Sequence, residues 1–228
     1  MIRIGLVQTE EERRQVFRLR YEVYVAELGA TMAHADHRAR SLQDEWDATA
    51  DLIGAWQGGE LVGSARLNCG DDSDLAEYEM FYHPLVKESL RQPNALKVSV
   101  GSKLVVAQNL RGTSLWARLC KAVYEQTHVR GSHLSYLTCR ATLVEVYRRL
   151  GWRLCGPDFF HPEAGRVQPM VLLVQDYEYL RQIKSPFAAV CVRYPIDQPH
   201  ARRLRAIARI KSRRSARDAP PRHFEGGR

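Results

Sequence analysis

Residues 102–119 read SKLVVAQNLRGTSLWARL, and the order of patterns in them decides the fold. The stretch opens inside a β-branched, apolar run over 96–106, which predicts a buried strand with a bulge near Gly101. A short polar connection carrying Leu110-Arg111-Gly112 follows. The run that follows then reads as a helix over 112–128. A strand that turns within a few residues into a long amphipathic helix is the unit of a mixed α/β sheet.

The same reading extends outward on both sides. Toward the N-terminus, 2–7 is a short strand, and 10–28 is a helix with Thr9 as N-cap, acids in its first turn and Gly29 as its stop. Residues 30–50 are polar and irregular, long for a passive connector, and read as a functional loop. The apolar runs 51–57 and 60–67 flank Gly58-Gly59, which predicts a hairpin. Residues 68–94 read as loop with a short helix near 85–90. Toward the C-terminus come a strand over 133–139, a helix over 141–150 stopped by Gly151, and strands over 152–155 and 170–174 around a Pro- and Gly-containing loop. A short helix over 175–183 ends at Ser185-Pro186. The pattern weakens past about 188, and 212–228 read as disordered. The division is thus a 1–187 domain and a basic 188–228 extension, partly helical or disordered.

The formal charge of +8 is a property of the tail. Residues 200–217 hold Arg202, Arg203, Arg205, Arg209, Lys211, Arg213, Arg214 and Arg217 with no acid, while 218–228 balance, so 1–199 are formally neutral. No basic body surface of the kind that binds nucleic acid is implied, and no nucleic acid is expected as partner. The tail's interleaved Leu204, Ile207, Ala208 and Ile210 leave three readings open: disorder, a basic helix on anionic lipid, or a grip on an acidic carrier protein. The five cysteines are scattered and odd in number, never in a CxxC spacing, and read as free buried thiols. The eight histidines have no zinc spacing, so no metal site is expected. No run of about 18 apolar residues occurs, and the N-terminus lacks the apolar core and cleavage site of a secretory signal. The expected location is the cytoplasm, with peripheral contact at the inner membrane through 200–217 as the open alternative.

Three segments, taken in order, resemble the GNAT acyltransferase superfamily, and within it the branch of N-acyl amino acid synthases and acyl-homoserine-lactone synthases. Phe17-Arg18-Leu19-Arg20-Tyr21-Glu22-Val23-Tyr24, then Glu27-Leu28-Gly29, is similar to that branch's opening helix. Asp44-Glu45-Trp46-Asp47 and the strand Gly63-Ser64-Ala65-Arg66-Leu67 resemble its DxxD loop and GxxRL strand. Ser102 to Val106, Leu110-Arg111-Gly112, Cys139 and Tyr147-Arg148-Arg149-Leu150-Gly151-Trp152 resemble its acyl-donor core. The resemblance spans about 5–187 and implies a mostly antiparallel mixed sheet, splayed between its fourth and fifth strands and flanked by helices.

What the resemblance implies for chemistry follows residue by residue. The pantetheine arm of an acyl thioester would pair with Leu104, Val105 and Val106, and its phosphate would meet the loop Arg111, Gly112, Thr113 and Ser114. Trp116 stands where the coenzyme A form of this loop has a small residue, which favours acyl carrier protein over coenzyme A as donor. Tyr147 matches the general acid that protonates the departing thiolate. Arg20, Asp44, Asp47, Arg66 and Lys103 match polar positions that order the N-terminal lid and shape the acceptor side. Tyr24 and Trp46 are candidates to wall the acyl or acceptor pocket. The glutamate of homoserine-lactone synthases is replaced by Val100 and an arginine by Lys103, so deprotonation of the amine is left to water, a backbone carbonyl, Asp47 or Glu45. The resulting expectation is an enzyme that moves a medium or long fatty acyl group from acyl carrier protein to an amino acid, with no permanently bound cofactor. Acylation of a peptide Lys or ornithine, use of acyl-coenzyme A, and a non-catalytic acyl-binding module are the alternatives.

Overall fold

The computed structural model describes residues 1–70 and 97–194. The expected helix near 85–90 and the basic segment 200–217 lie outside the described residues. In chain order the elements are β1 (Ile2–Leu6), α1 (Glu10–Tyr21), β2 (Ala35–Asp36), β3 (Ser41–Leu42), β4 (Asp51–Gln57), β5 (Glu60–Cys69), β6 (Val98–Val106), α2 (Leu115–Val129) and β7 (Leu134–Cys139). They continue with α3 (Val144–Leu150), β8 (Arg153–Leu154), β9 (Phe159–His161), β10 (Gly165–Leu173), α4 (Tyr177–Gln182) and α5 (Ala188–Cys191).

One sheet runs β1-β4-β5-β6-β7-β10-β8, with β9 hydrogen-bonded to the outer part of β10. All its pairs are antiparallel except β6 with β7. The two-glycine turn forms as expected, with Gly58 and Gly59 both at positive φ. Successive residues of β4 divide between the two faces: Leu52 packs with Val16 and Phe17 of α1, whereas Ile53 and Ala55 pack with Leu115, Leu119 and Val123 of α2. Helices on both faces explain why the strand is apolar without alternation. Under α2 lie two cores. One is built on β4 and β5, the other on β7, β10, α3 and the C-terminal helices, and Leu104 and Trp116 touch both.

Thr9 caps α1 by accepting from the Glu12 amide (3.1 Å). The helix does not continue regularly to residue 28, however. Glu22–Glu27 winds as a π-helix, closed by Leu28 N donating to Val23 O (3.2 Å). Tertiary contacts of Tyr24 and Glu27, given below, override the regular helical pattern. Residues 30–50 contain a two-residue ladder of β2 with β3 and a 3-10 turn at Glu45–Asp47. The Pro- and Gly-containing loop after β8 is also more regular than its composition implies: it is the β9–β10 hairpin, turning at Pro162-Glu163-Ala164.

Gly151 ends α3 at φ 125, and a Cβ there would lie 2.5 Å from Leu180 Cδ2 and 3.1 Å from Leu172 Cδ1. Leu180 is fully buried and has nowhere to swing. Gly151→Ala combines backbone strain with overpacking and is expected to cost about 2 kcal/mol. Thermal unfolding checks this, with a fall in Tm of about 4–8 °C expected. The five cysteines form no disulfide, and four of them are buried. Among the described residues no helix is long and apolar enough to cross a membrane, and no group of His, Cys, Asp or Glu could hold a metal ion.

Candidate active site

The sheet splits where two parallel strands part. β6 pairs with β7 only at Val98–Leu134, Ser99–Ser135 and Val100–Tyr136. On its other side β6 stays laddered to β5 as far as Val106. Ala107 N donates to Val62 O (2.9 Å). By strand alternation the backbone groups of Val106 therefore face away from β5, toward the split. An extended chain entering there meets a strand edge whose ladder with β7 has already ended.

Leu104 and Trp116 pack at this junction, against the core that holds Tyr147. The Tyr147 ring contacts Trp116 and Trp152 edge-on, with centroids at 5.3 and 5.5 Å. Burial raises the Tyr147 phenol well above its ordinary pKa, and the neighbouring Cys120, Cys139 and Tyr24 add to this. The phenol therefore keeps its proton. Trp116 corrects a sequence expectation. It lies on the same helical stripe as Leu119, Cys120 and Val123, so its ring turns into the core and does not stand over the loop.

The loop before α2 has glycine where it needs it, Gly112 at φ 78. Thr113 Oγ1 donates to Leu110 O (2.7 Å) and accepts from Leu115 N (3.3 Å), which fixes the entry to the helix. The amides of Gly112 and Ser114 have no partner among the described residues. Arg111 is tied down: its Nε donates to Val106 O (3.1 Å) and its Nη2 pairs with Glu27.

Beside the split lies a buried polar cluster. Ser64, Arg66 and Asn68 alternate with the core residues Ala65, Leu67 and Cys69, yet they are as buried as those residues. They form the face of β5 that α1 and the 42–47 loop cover. Arg20 Nη1 donates to Asp47 Oδ1 (2.7 Å), and both side chains are sealed from solvent. Arg66 Nη1 pairs with Asp44, lies 3.3 Å from Asp47 Oδ1, and Arg66 Nε donates to Ser102 Oγ (2.9 Å). Asp47 Oδ2 accepts from the Asp44 amide (3.0 Å), completing a capping box at the 3-10 turn. Burial pushes the Asp47 carboxyl up, but Arg20, Arg66 and the Asp44 amide more than reverse this and hold it below the usual range.

The expected bulge near Gly101 falls instead at Lys103. Ser64 faces Val105 and Arg66 faces Ser102, so β6 has one residue more than β5 across this interval. Lys103 absorbs it at φ 49, a conformation unusual for a residue with a Cβ. Its effect is that the consecutive residues Ser102 and Lys103 both reach the polar cluster. Lys103 Nζ lies 3.7 Å from Asp44 Oδ2 and 2.9 Å from Glu163 Oε2. It also stands 5.8 Å from the centroid of Tyr24, whose phenol burial pushes up.

Arg20, Asp44, Asp47, Arg66, Lys103 and Tyr24 are therefore brought together, with Tyr147, Leu104 and Arg111 along the adjoining split. Trp46 is half-buried and its carbonyl accepts from Asn68 Nδ2 (2.8 Å). Glu45 is not brought in: it is mostly exposed, with His34 Nε2 at 4.0 Å. Asn68 and Glu163 escaped the sequence reading, and Ser102 entered it only as part of the donor-core motif. The alternation S-A-R-L-N-C could have pointed to Asn68, and Phe-Phe-His before Pro-Glu-Ala-Gly to a hairpin presenting Glu163.

Comparisons with known proteins identify the fold and the family. The family model described as N-acyl amino acid synthase FeeM matches residues 15–176. Among solved structures, FeeM, an N-acyl amino acid synthase from uncultured soil microbes, is 15% identical with a TM-score of 0.61, covering 83% of this chain and 98% of that one. BjaI, a coenzyme A-dependent acyl-homoserine lactone synthase, is 16% identical with a TM-score of 0.61, covering 82% of this chain and 91% of that one. Escherichia coli ElaA is 20% identical with a TM-score of 0.54, covering 75% and 99%. These likenesses establish the GNAT-like acyltransferase fold. A search among curated protein sequences finds no match.

Proposed function

The chain belongs to the N-acyl amino acid synthase FeeM family and is an N-acyltransferase, and on that premise we propose that it moves a medium or long fatty acyl group from acyl carrier protein to the amino group of an amino acid. The observation that carries this reading is the split between β6 and β7, with an unladdered strand edge at one side and the buried Tyr147 in the core against which Leu104 packs. A pantetheine arm lying along 104–106 brings its thioester toward Tyr147, while the amides of Gly112 and Ser114 meet its phosphate. The thioester is already activated. What remains is to hold it extended, exclude water, present a neutral amine and protonate the thiolate.

Charge favours the carrier protein. Coenzyme A brings a pyrophosphate and a further phosphate, whereas a phosphopantetheinyl arm brings one phosphodiester. Arg111 is the single cation of 107–114, and it is already committed to Glu27 and Val106 O. Two free amides match one phosphate better than three.

The test is a matched pair of assays. The same fatty acyl group is supplied on acyl carrier protein and on coenzyme A with a panel of free amino acids, and products are read by mass. The carrier protein is expected to give the higher kcat/KM by about tenfold or more, a difference of about 1.4 kcal/mol. Equal use of coenzyme A would refute the donor assignment. Transfer only to peptide lysines would refute the acceptor assignment.

A further inference from the structure

We infer that Glu163, on the turn between β9 and β10, binds the ammonium group of the acceptor and takes its proton before the nitrogen attacks the thioester. This rests on the N-acyltransferase reading above and supplies the base which that reading lacks.

Placement comes first. β10 pairs with β7 over Gln168–Cys139 to Leu173–Leu134, and its earlier residues run on past the end of β7 to pair with β9. The hairpin thus projects beyond the C-terminal end of β7, the end at which the split opens. From the far half of the sheet Glu163 reaches back to Lys103, in the bulge of the near half. The pair spans the mouth of the split, with the Tyr24 ring beside Lys103 and its phenol within the electrostatic reach of both Glu163 and Tyr147.

Among the described residues, the other carboxylates of the polar cluster and its loop are committed or remote. Asp47 is sealed, with one oxygen on Arg20 and Arg66 and the other on the Asp44 amide. Asp44 holds Arg66, faces Lys103 and closes the capping box. Glu45 points to His34 on the outside. Glu163 is different: Oε2 pairs with Lys103, Oε1 has no partner among the described residues, and the side chain keeps 23% of its surface open. One carboxylate oxygen is on a lysine and the other is left for a second cation, and the arriving cation in this reaction is the ammonium.

The proton balance closes. The acceptor enters as R–NH3⁺ and passes one proton to Glu163 Oε1, which returns it to water. The freed lone pair adds to the thioester carbonyl and forms the C–N bond, and the C–S bond breaks when the tetrahedral intermediate collapses. The nitrogen's second surplus proton leaves with the collapse of the tetrahedral intermediate, the thiolate is protonated from Tyr147, and that second proton restores Tyr147 through solvent. The products are amide, thiol and one proton.

Glu163→Gln keeps the shape of the side chain and removes the base. The groups facing Glu163 are Lys103 of β6, Tyr24 of the π-helical turn, and His161 of β9, with Asp44 behind Lys103. Burial lowers the His161 pKa, and its Nδ1 accepts from the Glu163 amide (3.1 Å), so it stays neutral above pH 7. With an amino acid that the wild type acylates, kcat/KM for the amine is expected to fall about tenfold at pH 7, below the ~10²–10⁴ of an unassisted general base because water still accepts the proton. The KM for the thioester should hold, the deficit should close as pH rises toward the acceptor's own pKa, and Glu163→Asp should recover part of the rate. A wild-type rate in Glu163→Gln at every pH overturns the inference alone. So does a deficit independent of pH, or one carried by the thioester KM, which marks a structural role. A wild type that acylates no amine overturns the inference and the proposed function together.

Discussion

Asp47→Asn is expected to destabilise the fold by about 3–5 kcal/mol, the cost of removing one partner from a buried ion pair and leaving the other charged. The side chain keeps its shape, so the loss is one of charge. Arg20 retains no carboxylate contact, and two more of its nitrogens, Nε and Nη2, are already buried without partners. Arg66 fares better because Asp44 and Ser102 still hold it. The Asp47 carbonyl also receives Arg13 Nη2 (2.7 Å), so loosening the 3-10 turn frees α1 as well. Urea unfolding of the variant, with Arg20→Met and the double variant, measures the effect. The double variant should be more stable than the sum of the single losses by at least about 1 kcal/mol, since removing both charges removes the uncompensated one. A loss under about 1 kcal/mol for Asp47→Asn would mean that apolar packing alone holds the lid. The pH dependence has a definite sign. Folding lowers the Asp47 pKa, so its contribution is whole above the unfolded carboxylate's value of about 3.9 and is lost as pH falls through the lowered folded value. Wild type and variant should therefore converge in stability only in strong acid.

The elements were legible wherever a local pattern coincides with the tertiary contact. Thr9, Gly29, Gly58-Gly59 and Gly151 mark boundaries because capping and positive φ are properties of the chain itself. The position of the bulge was not legible. Gly101 is the residue that would bulge most freely, yet Lys103 takes the strained conformation, held there by Asp44 and Glu163 from two other elements. The π-turn was hidden for the same kind of reason: Tyr24 over Lys103 and Glu27 on Arg111 are long-range contacts. Trp116 was misread because it was compared by position in a loop, whereas its helical phase with Cys120 and Val123 already placed it inward. Of the polar cluster, sequence supplied the members, Arg20, Asp44, Asp47, Arg66 and Lys103. It could not supply their division of labour, which depends on which carboxylate oxygens are already occupied. That division moves the question of the base from Asp47 and Glu45 to Glu163.

Tyr147→Phe is expected to slow acyl transfer by about 10-fold to 100-fold while leaving the melting temperature almost unchanged. The ring keeps its edge contacts with Trp116 and Trp152, so packing survives the loss of the hydroxyl. The backbone survives too, since Tyr147 O, which accepts from the amides of Gly151 and Trp152 (3.1 Å each), is unaltered. What goes is a proton held by burial: the raised pKa keeps the phenol neutral throughout the working pH range, ready to meet a thiolate that is poorly solvated in the same pocket. The effect stays below that of a typical general acid because a thiolate leaves more readily than an alkoxide or amide. That reasoning gives a sharper test than the rate alone. An acyl donor whose thiol is more acidic needs less protonation as it departs, so the ratio of wild-type to variant rates should shrink with such a donor. It should be largest with the pantetheine thioester itself. A phenol that only shapes the pocket would give the same ratio with every leaving group, and wild-type turnover in the variant would remove Tyr147 from the chemistry.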